Sequence, residues 1–274
     1  YLIWLGSGVI GGCGLGLGYI SPVSTLIKWF PDKRGMATGM AIMGFGGGAI
    51  IGSPLADKLM KFFSKHNPSS VGVLETFITL GCIYFVFMIL GAFMYRVPAR
   101  GWKPRGWTPP DTAKSEMITH GHVHVNEAHK TPQFWLLWMV LCMNVSAGIG
   151  IISVASPLLQ EIFGGKLIGV NTTYSALSVS QKELVATFGA AFLGLLSLFN
   201  IFGRFFWASL SDHLGRKWTY HIFFSLGMAL YYMTAFAAIH KNITLFVGMC
   251  SVILTMYGGG FATIPAYLAD LFGT

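Results

Sequence analysis

Seven stretches of this chain run without a single Asp, Glu, Lys or Arg: 1–27, 35–56, 76–95, 131–160, 184–203, 218–240 and 242–269. Each reaches the roughly 20 residues that a helix needs to cross the hydrocarbon core of a bilayer. Inside that core every backbone N–H and C=O must find a partner within the protein, which leaves helices or a closed barrel. None of the seven shows the sustained period-2 alternation of a barrel strand, so the pattern predicts helices. A shorter charge-free stretch, 167–181, is too polar to span and reads as a loop. Charged residues make up only 10% of the chain, against about 25% in a soluble domain. Lipid, not water, must cover such a surface. The reading is an all-α, multi-pass integral membrane protein of the cell (inner) membrane, with the lipid bilayer as its first partner.

The net charge of +8 does not point to nucleic acid, because the basic residues cluster in a few short loops. Alternating the spans puts Lys28, Lys33, Arg34, Arg96, Arg100, Lys103, Arg105, Lys114, Lys130, Arg216 and Lys217 on one side. The other side receives Lys58, Lys61, Lys65, Lys166, Lys182 and Lys241, a split of 11 to 6. Basic excess marks the cytoplasmic side. The longest polar stretch, 96–130, carries Pro98, Pro104, Pro109 and Pro110, six basic residues and four histidines, and reads as a cytoplasmic linker. Its His120, His122, His124 and His129 have no carboxylate or cysteine arranged beside them, so no metal site is expected. Cys13, Cys82, Cys142 and Cys250 fall singly in apolar stretches and read as small core residues. The N-terminus, Tyr1-Leu2-Ile3-Trp4, has neither an initiator Met nor a basic region. It reads as the interior of a longer protein, not as a signal peptide.

An internal repeat divides the chain. Gly18–Phe30 aligns with Gly260–Phe272 at a constant offset of 242, pairing Tyr19 with Phe261, Ser21 with Thr263 and Leu26 with Leu268. The first and last helices are then equivalent elements of two halves. Three helices precede the linker and four follow it, so the first helix is the fourth of its half. Each half has six helices and the chain holds helices four to ten of twelve. Residues 1–95 supply helices 4–6 of the first bundle, 96–130 the linker, and 131–274 helices 7–10 of the second bundle.

Arg204 is the residue with the sharpest chemistry. The next charge along its helix is Asp212, about 12 Å away at 1.5 Å per residue. A cation that deep costs about 2.5–3.5 kcal/mol on insertion scales and calls for a compensating group. A carboxylate substrate would supply one, and guanidinium offers it a bidentate fork; the alternative is an arginine that snorkels to the cytoplasmic surface with the basic loop. Glycines at small-xxx-small spacing (Gly8 and Gly12, Gly14 and Gly18, Gly44 and Gly48, Gly48 and Gly52) read as close helix packing. As a phosphate-binding loop they fail, since no strand precedes them. Pro22, Pro54, Pro157 and Pro265 lie near or within helices, as kinks or ends. No Walker sequence or hydrolase signature occurs, so neither ATP-driven transport nor an enzyme is encoded and no cofactor is implied.

Two motifs carry a family resemblance. Ala208-Ser-Leu-Ser-Asp212-His-Leu-Gly215-Arg216-Lys217 resembles the loop signature Gly-x-x-x-Asp-x-x-Gly-Arg-Lys of the major facilitator superfamily, with Ala208 in place of the first glycine. Gly215 suits a tight turn, and Asp212 can cap a helix or pair with a base. Tyr19-Ile-Ser-Pro-Val-Ser-Thr-Leu-Ile-Lys28-Trp-Phe-Pro-Asp32-Lys33-Arg34-Gly35 is similar to the oxalate/formate antiporter family, relatives of the monocarboxylate porters. The resemblance implies a partial major facilitator fold, seven of twelve transmembrane helices, and secondary transport of a small organic anion by alternating access. It implies a carboxylate held between a helix-eight arginine, here Arg204, and a helix-eleven lysine that would lie beyond Thr274. It implies an aromatic cage as well. Tyr19 matches it, Phe45 stands where a tyrosine serves oxalate, and Tyr257 and Phe261 match a Trp and a Tyr. Those departures leave formate, lactate and pyruvate open beside oxalate. Asp32, Arg34 and Gly35, with Asp212, Gly215, Arg216 and Lys217, are the expected gating loops, and the carrier is expected to be monomeric. A drug or sugar porter of the same superfamily and a seven-helix receptor are the rival readings.

Overall fold

The computed structural model describes residues 1, 4–66, 70–99, 101–108 and 123–273, and among them every regular element is helical. A π-helical turn at Trp4–Ile10 leads into α1 (Gly11–Trp29). Then come α2 (Arg34–His66), α3 (Val73–Met94), the short α4 (Val125–Ala128), α5 (Pro132–Ile152) and α6 (Ala155–Leu167). A 3-10 turn at Tyr174–Ala176 precedes α7 (Val179–Leu214), α8 (Arg216–Ile239) and α9 (Ile243–Phe272). Seven helices are long and apolar enough to cross a membrane: α1 with its leading turn, α2, α3, α5, α7, α8 and α9.

Local chemistry sets the breaks. Helix α1 stops before Pro31, whose ring disfavours helical backbone at Phe30. Helix α5 starts with Pro132 in its first turn, where a missing N–H costs nothing. Helix α7 opens on a capping box of Ser178 and Gln181, and α9 on Asn242, whose side chain accepts from the Leu245 N–H at 3.1 Å. Gly215, at φ 87°, turns the chain from α7 into α8. Pro22, Pro54 and Pro265 lie inside helices, whereas Pro157 falls in the first turn of α6.

Three boundaries differ from the charge-free stretches, the first being α2, which runs past 56 to His66. The stretch 131–160 breaks after Ile152, and α6 is a separate helix that carries Glu161 and Lys166. Helix α7 runs well past 203 to Leu214, so Arg204 lies within it and Asp212 on the same helix. Continuous helix carries charged residues out of the bilayer without a break, which a count of apolar residues does not register.

Helices α5 to α9 share one core, built on Leu159, Phe163, Phe192, Leu196, Phe246 and Leu254. A smaller cluster joins α1, α2, α7 and α9 through Val23, Ile27, Ile42, Ala208, Ala262 and Ala269. Helix α9 is the most enclosed span, and α3 lies against α2 with only Thr76 buried. Of the glycines expected to pack closely, Gly52 alone has a neighbour in reach among the described residues, Tyr84 Oη of α3 at 3.6 Å from where its Cβ would stand. Gly8, Gly12, Gly14, Gly18, Gly44 and Gly48 meet no neighbouring atom within 4 Å among the described residues. Close approach occurs instead where Gly203 of α7 lies on the backbone of Thr255 and Gly258 of α9 on the backbone of Asn200.

The two ends of the linker attach to the same end of the bundle. Trp29 at the end of α1 donates its indole N–H to the Arg96 carbonyl at 3.0 Å, and Trp102 returns one to the Trp29 carbonyl at 3.2 Å. The Val123 N–H donates to the carbonyl of Phe272, at the end of α9, at 2.9 Å. His124 caps α4 and His129 bonds to the Val125 carbonyl. His120 and His122 lie outside the described residues.

Candidate functional site

Arg204 is buried, 5% exposed, between three helices. Its Nη1 donates across to the Ile42 carbonyl of α2 at 2.9 Å, and its Nε donates to Asn200 Oδ1, one turn back on α7, at 3.2 Å. Its guanidinium carbon lies 5.5 Å from the ring centre of Phe45 and 5.8 Å from that of Phe261, the range of cation–π attraction. Phe45 meets Tyr19 edge-on at 5.8 Å, and Phe261 meets Tyr257 at 5.4 Å. Arg204, Tyr19, Phe45 and Phe261 therefore converge from α1, α2, α7 and α9. Tyr257 packs against Phe261 on one side, and its ring is pressed against Gly148 of α5 on the other. There it lines a cavity of about 190 Å³ between α5, α8 and α9. Arg204 does not reach out to the basic end of its helix. Its charge is met by a carbonyl, an amide oxygen and two aromatic faces; the rings of Phe45 and Phe261 were implied by the family resemblance, whereas the carbonyl and the amide were not evident in the sequence.

The second group sits about two turns further along α7, some 12 Å by helical rise. Asp212 accepts the N–H of Gly35 on Oδ1 and that of Met36 on Oδ2, both at 2.9 Å. These are first-turn donors of α2, which have no partner inside their own helix, and the carboxylate also lies at the positive end of the helix dipole. Arg216 Nη2 donates to Asp212 at 2.6 Å and Arg216 Nε to Asp270 Oδ2 at 3.1 Å, with a further bond to Ser211 Oγ. Arg34 Nη1 donates to Asp270 Oδ1 at 3.0 Å. One network thus joins the start of α2 to the ends of α7 and α9 and the start of α8. Thr38 adds a bond from α2 to the Ala262 carbonyl of α9 at 2.8 Å.

Ala208, in place of the signature glycine, does not hold the helices apart. Gly35 of α2 supplies the missing space, its Cα lying so close to the Ala208 carbonyl, Asp212 and Arg216 that a Cβ would collide with all three. Gly215 makes the turn, while Lys217 and Asp32 are exposed beside it. Asp270 escaped the sequence reading. Its signal is visible in retrospect, as the one ionisable Asp, Glu, Lys or Arg in α9, paired by the repeat with Lys28.

A bundle of seven membrane-length helices with a charged latch at one end and a buried arginine behind it is the architecture of a solute carrier. The chain belongs to the Major Facilitator Superfamily, whose family profile matches residues 1–274. The superfamily comprises transporters, not enzymes, and membership removes the receptor reading. The protein is a multi-pass protein of the cell membrane. Its relatives include the oxalate:formate antiporter of Oxalobacter formigenes, 28% identical over 265 residues, covering 97% of this chain and 54% of the relative. An uncharacterized MFS-type transporter of Escherichia coli (strain K12) is 24% identical over 99% of this chain and 58% of its own length. The apicoplast pyruvate carrier 1 of Toxoplasma gondii is 24% identical over 97% of this chain and 53% of its own length. The chain thus spans somewhat over half the length of the curated relatives it matches.

Proposed function

We propose that this chain is helices four to ten of a twelve-helix secondary transporter that moves small organic anions by alternating access. Residues 1–95 belong to one six-helix bundle, 131–274 to the other, and 96–130 link them on the cytoplasmic side. The observation that carries the reading is Arg204, a buried guanidinium with no acidic partner among the described residues, placed where α1, α2, α7 and α9 meet. Such a group recognises a carboxylate, and the aromatic rings beside it fit a small flat anion. The Asp212–Arg216–Asp270–Arg34 network, with Gly35, closes the cytoplasmic end between the bundles and must part when the carrier opens inward. Both named activities among the relatives, oxalate:formate antiport and pyruvate carriage, concern small carboxylates. Phe45 and Phe261 put apolar rings where hydroxyls would serve a dicarboxylate, which favours a monocarboxylate such as formate, lactate or pyruvate. Antiport or proton-coupled transport would supply the driving force. Uptake of a radiolabelled carboxylate panel by the full-length protein in proteoliposomes tests the reading. Saturable uptake of at least one small carboxylate is expected, and uptake confined to sugars or drugs would replace it with the rival porter.

A further inference from the structure

Arg204 already has ligands of the protein's own making. Besides Asn200 Oδ1, its guanidinium holds the main-chain carbonyl of Ile42 at 2.9 Å, and Ile42 is itself buried at 1% exposure. A carbonyl inside a helix is ordinarily screened by the side chain one turn ahead. Here that residue is Gly46. A Cβ at Gly46 would stand 3.2 Å from both Cζ and Nε of Arg204 and 3.1 Å from Ile201 Cγ1. Those separations are tighter than ordinary contact, so the guanidinium would have to give way by a few tenths of an ångström and its bond to the carbonyl would be strained. Gly46 therefore opens a slot through which α7 reaches the backbone of α2, and the carbonyl has the second lone pair needed to accept the bond.

We propose that the Ile42 carbonyl, uncovered by Gly46, acts as an internal stand-in for the substrate carboxylate. The transport consequence rests on the anion reading above. A carrier restricted to exchange needs its cargo-free form to be costly, and an uncompensated buried cation makes it so. With Ile42, Asn200 and two ring faces around it, Arg204 is compensated by protein groups alone. The same two helices, α2 and α7, are joined by Asp212 at the cytoplasmic end. Cargo-free protein can then close that end and return without a substrate. A bound carboxylate displaces the carbonyl from the guanidinium, so one arginine serves both the loaded and the unloaded passage. The carrier performs net one-way flux as well as exchange.

The test uses the full-length transporter in proteoliposomes loaded with radiolabelled pyruvate or formate. Exchange is read with unlabelled substrate outside, and net efflux with substrate-free buffer outside. Measurable net efflux is expected from the parent protein, a result that needs no variant. In Gly46→Ala the ratio of net efflux to exchange should fall about tenfold, the scale of one lost charge-assisted hydrogen bond. Independently of substrate, spin labels on Lys33→Cys and His213→Cys, both exposed positions, report the cytoplasmic end. Gly46→Ala should shift cargo-free protein toward the longer separation. Exchange without net efflux in the parent would overturn the proposal, as would an equal fall in both rates or an unmoved distance distribution. If the parent carries neither anion but Gly46→Ala still opens the cargo-free protein, the anion reading fails while the Arg204–Ile42 link stands.

Discussion

At the scale of single residues, Arg204 was legible because charge inside a membrane helix is rare and costly. Of its surroundings, only the aromatic rings were legible, through the family resemblance. An amide such as Asn200 has no sequence signature among apolar neighbours, and a backbone carbonyl has none at all. The sequence also called for a compensating substrate, whereas Ile42, Asn200, Phe45 and Phe261 already meet the charge. Arg204→Gln should therefore abolish carboxylate exchange while leaving expression near that of the parent, since no acidic group is orphaned by it. Arg204→Lys keeps the charge and loses the planar fork, so substrate KM should rise about tenfold or more with folding preserved. Transport rates and yield in membranes check both. Parent-like exchange by Arg204→Gln would remove the anion assignment. Asp270 allows a sharper separation of latch from site. It accepts from Arg34 and Arg216 together, and each such bond contributes about 1.5–3 kcal/mol. Asp270→Asn should raise the reactivity of a cysteine near the cytoplasmic end, such as Met36→Cys, with little change in substrate affinity. Unchanged reactivity would show that the network does not hold that end closed.

At the scale of helices, the existence and number of the spans were legible, whereas the separate helix α6 and the contacts between helices were not. A run of apolar residues long enough for a bilayer announces itself, and all seven spans follow from that alone. The small-xxx-small pattern announces a smooth face but not its partner. The face chosen from Gly8 to Gly18 touches nothing among the described residues, while Gly203 and Gly258 carry the α7–α9 crossing beside Arg204. Gly203 stands alone and has no spacing to detect, and although Gly258 opens the run Gly258-Gly259-Gly260, its value too appears only when the second helix is in place. The obstacle to a side chain at Gly203 is the backbone of Thr255, which cannot rotate away. Gly203→Val should cost about 1–3 kcal/mol by overpacking and lower the melting temperature of the purified transporter, whereas the same change at Gly48, which has no neighbour within 4 Å among the described residues, should lower it less. Equal melting temperatures for the two variants would mean that the α7–α9 crossing relaxes freely.

At the scale of the whole molecule, the repeat makes the strongest geometric claim. An offset of 242 relates α1 to the second half of α9, and the structure places equivalent positions of the two copies in one cluster. Tyr19 and its counterpart Phe261 both pack there, as do Ile27 and its counterpart Ala269. Two helices related by a two-fold axis meet through like positions only when the axis passes between them. If α1 and α9 are the fourth and tenth helices of two matching bundles, that axis runs along the membrane normal through the cluster beside Arg204, and the substrate path lies on or near it. Superposing the two halves of a full-length structure should then bring Gly18 onto Gly260, and each half should show the same six-helix order. The topology follows from the same arrangement: both attached ends of the linker, the start of α2 and the α7–α8 turn share one side. Cysteines placed at Lys103 and Lys217 should react with an impermeant reagent from the cytoplasmic face only, and one at Lys241 from the opposite face only. Labelling of Lys103→Cys and Lys241→Cys from the same face would break the alternation of spans on which the helix count rests. The gathering of like positions of α1 and α9 in one cluster would then be ordinary packing, with no symmetry behind it.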